Sequence, residues 1–312
     1  INAGHVPVFI DIDQETLTLS PDDLKQKING IDAVVVVHTF GRPADMDKIL
    51  SICGDKPIIE DCAHSLMSKY NGCLTGTLGI AGFFSFRSGK YISAGEGGLI
   101  VTKDNELSKK INKETESYVA PSSFNEISHS FITFFRSTLY HRPWFGLFSL
   151  PLGKLLEKKV DIMNKHSFKK SKARQCNLQT ISKKINNFEE CVASSRSNSS
   201  YLIDNLDSLD MKFPQESQNI WCNYFLFPII FDNPIVRDKV SDFLFEKGID
   251  NAKMFANTHE IAKKQYGYIG DCPVTELISE RILIIPHYYT LKQKDLDKII
   301  RGINYAINQE DI

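Results

Sequence analysis

Apolar and polar positions alternate in blocks through the first hundred residues, each block about the length of one strand or one short helix. Val6–Ile10 (VPVFI) reads as a strand. In SPDDLKQKI, Ser20 is placed as an N-cap, Pro21 takes the first helical position, and Asp22 and Asp23 fill the first turn. Ala33–His38 (AVVVVH) is a continuous apolar run, the pattern of a strand covered on both faces. PADMDKILSIC is helical. Pro57–Asp61 (PIIED), Ile80–Phe86 (IAGFFSF) and Gly97–Thr102 (GGLIVT) predict three more strands, and a helix begins at Lys103–Ile111. This alternation predicts an α/β sandwich around a largely parallel sheet.

The middle of the chain departs from that rhythm. Residues 131–148 (FITFFRSTLYHRPWFGLF) are rich in aromatics. The stretch from Lys154 to Arg174 follows, with eight Lys/Arg against Glu157 and Asp161, a local net charge of +6. Helical spacing resumes from Asn177, through Leu178, Ile181, Ile185 and Phe188. The last third reads as a second α/β unit. Tyr224–Phe231 is a strand, Asn233–Gly248 a helix closed by glycine, Arg281–Pro286 a strand, and Lys292–Ile307 a final helix.

Composition narrows the function. The chain of 312 residues is 42% hydrophobic and 24% charged, an ordinary globular balance, and its net charge of −1 argues against nucleic-acid binding by bulk charge. Seven scattered cysteines form no C-x-x-C pair. They predict reduced thiols in the cytoplasm, with no zinc site and no disulfide framework. No segment reads as a signal peptide or a membrane span.

Three residues near strand ends could carry chemistry: Asp61, Ser85 and Lys90. Ligands of open α/β sheets gather beyond the carboxyl ends of the strands. A carboxylate, a hydroxyl and an amine meeting there suit a phosphorylated pyridine cofactor. The amine condenses with an aldehyde, the acid holds the ring nitrogen protonated, and the hydroxyl binds phosphate. Taken singly each is a weak signal, since a strand-end aspartate is often just a cap and most lysines are solvated.

Ordered motifs sharpen the reading. HTFGRPADMDKI, PIIEDCAHS, GTLGIAGFFSFRSGKYISAGEGGLIVT and ARQCNLQ occur in sequence. Together they resemble the pyridoxal-phosphate-dependent nucleotide-sugar aminotransferases of the DegT/StrS type, over nearly the whole chain. The resemblance implies the aspartate-aminotransferase (type I) fold: a large α/β domain with a mostly parallel sheet at 1–195, carrying an insertion at about 128–174, and a smaller C-terminal α/β domain at 196–312. It implies that Lys90 forms the Schiff base and moves protons. Asp61 partners the pyridine nitrogen, His64 lies beside the cofactor ring, and Ser85 binds phosphate. Gly95, Gly97 and Gly98 shape the loop past the lysine. The implied reaction transfers an amino group, with glutamate as donor, to a nucleotide-linked keto-sugar, in a homodimer serving polysaccharide or lipopolysaccharide synthesis.

Three departures from the family pattern stand out. The chain starts at INAGHVPVFIDID, so an N-terminal segment that supplies part of the phosphate cup is expected to be missing from this sequence. The asparagine that reaches a neighbouring subunit's cofactor phosphate falls on Lys172, which could serve as a point-charge ligand; Arg174 and Gln179 match. The 131–174 stretch is longer than usual. A packed insertion followed by a solvated basic helix is favoured there over a diphosphate site or a membrane-touching patch. Lys90 argues against a sugar dehydratase of the same fold, in which histidine replaces the lysine. A non-catalytic homologue is the remaining alternative.

Overall fold

The computed structural model describes residues 3–139, 144–149, 170–206, 211–214 and 216–308. In chain order its elements are α1 (Pro21–Lys27), β1 (Val34–Val37), α2 (Met46–Cys53), β2 (Ile58–Asp61), β3 (Lys69–Tyr70), β4 (Cys73–Leu74), β5 (Ala81–Ser85) and β6 (Gly98–Val101). Next come α3 (Asn105–Glu116), α4 (Ser123–Leu139), α5 (Gln175–Ile185) and α6 (Phe188–Asn205). The chain continues through β7 (Met211–Lys212), β8 (Ile220–Trp221), β9 (Phe227–Phe231), α7 (Pro234–Glu246), α8 (Thr258–Tyr266), α9 (Pro273–Arg281), β10 (Ile282–Ile285) and α10 (Gln293–Asn308). These form two compact units. One holds Ile1–Ser85, Leu99–Asp104 and Asn187–Ile312; the other holds Phe86–Gly98 and Asn105–Asn186.

The main sheet runs β1-β2-β5-β6, with β1, β2 and β5 parallel. The helices that cover it start where the residues dictate. Ser20 accepts the Asp23 N–H at the head of α1, and Asp45 accepts that of Lys48 in α2. Leu24, Val34, Val36, Met46, Ile49 and Ile58 form the core on that face. Val35 and Val37, at 53% and 42% exposure, lie on the other. The β1 run is therefore covered on one face among the described residues, not on both. An unbroken apolar run cannot by itself separate the two cases.

A second, antiparallel sheet runs β10-β9-β7. Every residue of β9 is buried. Phe227, Ile229 and Phe231 pack with Leu244 of α7 and Ile299 and Ile303 of α10. Residues from both ends of the first unit share a further cluster, in which Leu17 and Phe40 meet Ile230, Ile278, Ile282 and Ile284. The small sheet β4-β3-β8 also joins early and late segments.

Two further expectations need correction and one is refined. Val6–Ile10 is not a strand: no described strand pairs with it, and Val6 is 88% exposed. Without a neighbour, β-propensity alone leaves it extended but unladdered. The helical pattern from Asn177 is two helices, α5 and α6. The aromatic stretch is not a packed insertion where it is described, since most large apolar side chains of α4 face solvent. The basic run from Lys154 to Lys169 lies outside the described residues.

Candidate active site

Because β1, β2 and β5 are parallel, the residues that follow them converge on one edge of the sheet. Val37 pairs with Asp61, and Asp61 with Phe83. Asp61 ends β2 and Ser85 ends β5, both half-buried. Asp61 Oδ1 accepts the Ala63 N–H at 3.0 Å, a side-chain turn that swings the chain off the sheet toward His64. His64 Nδ1 accepts the Phe40 N–H at 3.3 Å, which leaves the ring proton on Nε2. Its ring leans on Phe225 with centroids 4.7 Å apart.

The His64 loop is pinned by Asn223, which is fully buried. Its Nδ2 donates to the carbonyls of His64 and Leu66 at 3.0 and 2.9 Å, and its Oδ1 accepts the Phe225 N–H at 2.9 Å. The loop after β1 presses on the same amide at Gly41. Gly41 has φ +93, and a Cβ there would sit 1.9 Å from Asn223 Oδ1. Gly41→Ala is therefore expected to lower stability by about 2 kcal/mol or more, through both strain and collision. A urea denaturation midpoint measures it; an unchanged midpoint would contradict this role.

Beneath the site lies a buried polar network. His38 Nδ1 accepts the Ala44 N–H at 3.1 Å, so its Nε2 proton goes to Glu60 Oε2 at 3.0 Å. Glu60 also accepts the N–H groups of Gly76, Leu78 and Gly79 at 2.6, 2.7 and 2.7 Å. Burial alone would raise the Glu60 carboxyl, but His38 and the amides of Gly79 and Gly76 hold it below the usual range. Ligand atoms of His38, Glu60 and Cys62 lie within 4.8 Å of one another, a spacing that could hold a metal. The histidine and carboxylate are already engaged, however, so the cluster acts as a structural tie for the loop entering β5. Burial pushes the Cys62 thiol up to about 12, with the Glu60 charge adding to it, which makes this cysteine an inert packing group.

Lys90 belongs to the second unit, five residues past Ser85. It occupies a loop zipped at its base. Phe86 N–H donates to Gly97 O at 3.0 Å, Ala94 N–H to Phe86 O at 2.9 Å, and Ser88 N–H to Gly95 O at 3.2 Å. Lys90 N–H closes a turn onto Arg87 O at 3.1 Å, and its side chain is half-buried. Gly95 and Gly97 have φ +93 and +115, so backbone conformation alone explains glycine at both. The basic motif before α5 holds this loop. Arg174 pairs with the Glu96 carboxylate, Asn177 Nδ2 donates to Glu96 O at 3.2 Å, and Lys184 Nζ to Ser93 O at 2.6 Å. Lys172 is exposed and lines a groove of about 410 Å³ together with Glu96, Tyr118, Arg174 and Asn177.

The structure thus gathers Asp61, His64 and Ser85 on one sheet edge of the first unit. Lys90 and Lys172 lie in the second unit, and Lys90 is not part of the groove that Lys172 lines. Sequence reading missed Asn223 and Asn177, which are isolated amides without a motif of their own. It left Glu60 as capping or solvated, and the structure makes it a buried cap. His287, left undecided between core and pocket wall, is buried and bonded through Nε2 to Tyr224 O at 2.5 Å, while Tyr288 and Tyr289 are exposed.

Comparison with known proteins follows the same lines. Residues 1–133 and 156–304 match the profile of the DegT/DnrJ/EryC1/StrS aminotransferase family. GDP-perosamine synthase of Escherichia coli O157:H7 is 43% identical over 107 residues, covering 33% of this chain and 29% of that enzyme. The chain's match thus spans less than a third of that relative's length. Spore coat polysaccharide biosynthesis protein SpsC of Bacillus subtilis is 26% identical over 100% of this chain and 76% of its own length. The putative sugar aminotransferase Spr1654 from Streptococcus pneumoniae, solved in its PMP form, superposes with a TM-score of 0.76 at 16% identity, covering 99% of this chain and 76% of that one. This likeness shows the type I fold of the sugar aminotransferases.

Proposed function

Since the chain belongs to the DegT/DnrJ/EryC1/StrS aminotransferase family, we propose that it transfers an amino group from glutamate to the keto group of a nucleotide-linked sugar, using pyridoxal phosphate. The observation that carries this reading is that Asp61 and Ser85 end the parallel neighbours β2 and β5, with His64 three residues past Asp61, so an acid, a hydroxyl and an imidazole follow the carboxyl edge of one sheet. That donor set fits the cofactor. Asp61 suits a protonated ring nitrogen, the braced His64 ring forms a flat wall, and Ser85 can donate to a phosphate. When bound, the cofactor supplies an aldehyde for amine exchange and a ring that takes up electrons from a substrate carbanion.

With the cofactor bound, Lys90 Nζ would hold its aldehyde, and the same amine would serve as the base and acid that moves a proton between the donor's α-carbon and the sugar's amine-bearing carbon. Arg174 and Asn177 keep the loop beyond Lys90 in place through Glu96. The enzyme works as a homodimer in this reading, with Lys172 directed at the neighbouring subunit's cofactor phosphate as a point charge. The products feed polysaccharide synthesis, the process named for the SpsC relative.

The test is to incubate the protein with pyridoxal phosphate, glutamate and a panel of nucleotide-linked keto-sugars. Formation of 2-oxoglutarate in step with an amino sugar supports the proposal. No amino sugar from any panel member, with cofactor bound, would overturn it. Asp61→Asn is expected to cut turnover by about 10²–10³-fold, because a neutral amide cannot stabilise the ring proton. Steady-state kinetics of that variant checks the assignment, and unchanged turnover would remove Asp61 from the site.

A further inference from the structure

The second unit carries a helix with its polarity reversed. On α4 the polar stripe turns inward. Glu126 accepts the N–H groups of Gln175 and Cys176 at 3.1 and 3.4 Å. A Cβ on Gly95 would come within 3.2 Å of His129 Nε2 and 3.6 Å of Thr133 Oγ1. The apolar stripe turns outward: Phe124, Ile127, Phe131, Phe134 and Phe135 are 57% to 78% exposed. A surface helix of a water-soluble fold shows the opposite arrangement. The turn at 145–149 lies against α4 and extends the patch. Trp144, Leu147 and Phe148 are exposed there, with Trp144 stacked on Phe148 at 5.9 Å. Contiguous apolar surface of this kind marks a docking face.

Charge selects the occupant. From Ile127 to Leu156 the chain has no Asp or Glu; it has Arg136 and Arg142, and the run from Lys154 to Arg174 adds a net +6. Two copies of so basic a stretch of chain repel each other, whereas an anionic bilayer attracts it. No described helix is long and apolar enough to cross a membrane. Phe and Trp on one face beside Lys and Arg suit a helix lying in the headgroup plane. Residues 134–155 also fall in the gap between the two stretches that match the family profile, which sets most of the patch apart from the machinery shared by the family.

We propose that the outer face of α4 and the Trp144–Phe148 turn dock this protein on an anionic phospholipid surface. The inference is independent of the proposed activity.

The experiment is flotation of the purified protein with vesicles of phosphatidylcholine alone, or with about 30% phosphatidylglycerol. The wild type is expected to float with the anionic vesicles and to be released at about 0.5 M salt. Phe131→Glu/Phe135→Glu should reduce the bound fraction by about tenfold or more, with its melting temperature unchanged because both side chains are exposed. A second readout does not depend on that variant folding. Trp221→Phe leaves Trp144 as the sole tryptophan, and its emission should shift to the blue with anionic vesicles only. Equal binding to both vesicle types, or no binding and no shift, overturns the proposal. So does a wild-type oligomer that the double glutamate variant dissociates while neither protein binds vesicles, because the face would then be covered by a second copy.

Discussion

Lys90→Ala is expected to lower transamination by about 10²–10⁴-fold, the range ascribed to a positioned acid–base group, and to abolish the covalent cofactor link. The substitution removes one amine that does both jobs. It should leave the fold intact. Lys90 is half-buried in a loop closed by backbone bonds between 86–88 and 94–97, and none of those bonds uses its side chain. An added small amine such as methylamine should restore part of the proton transfer but not the link. Steady-state rates with and without the amine measure both effects. A variant that retains near-wild-type turnover would show that Lys90 is only a loop lysine.

The second large effect concerns stability. Glu60→Ala strips the buried partner from the His38 Nε2 proton and from three backbone N–H groups at Gly76, Leu78 and Gly79. Removing one member of a buried charged network costs about 3–5 kcal/mol, chiefly because the groups left behind are desolvated and unpaired. The urea midpoint should fall accordingly, and a loss below about 1 kcal/mol would contradict the account. The same network makes stability sensitive to acid. The folded Glu60 carboxyl titrates below its ordinary value of 4.5. The unfolded chain therefore takes up the proton first as pH drops. The stabilisation from Glu60 is complete above about pH 4.5 and is lost as pH falls through the lower folded value. Glu60→Gln should flatten that acid limb of the stability profile.

Local signals were legible wherever one segment determined the outcome. Ser20 and Pro21 announced α1, Gly248 marked the end of α7, and the runs at Ile58, Ala81 and Ile282 became strands. The ordered motifs also led to the fold. Relations between distant segments were not legible. Val6–Ile10 has the composition of a strand but no partner in the described sheets, and only a neighbour turns propensity into a ladder. The tie between Asn223 and the His64 loop spans 159 residues and rests on one amide, which no spacing rule detects. Glu60 and Asp61 are adjacent acids, yet the strand's alternation sends one into the core and leaves the other half-buried at the strand end. The outward face of α4 was hidden because helical periodicity reveals an apolar stripe without saying which way it points.

The central claim is that Lys90 binds the cofactor aldehyde. It is tested most directly by adding pyridoxal phosphate to the purified protein, reducing with borohydride and mapping the modified peptide by mass spectrometry. The account predicts one phosphopyridoxyl group, on the peptide that carries Lys90, and none in Lys90→Ala. Labelling of another lysine in its place, with Lys90 unmodified, would contradict it.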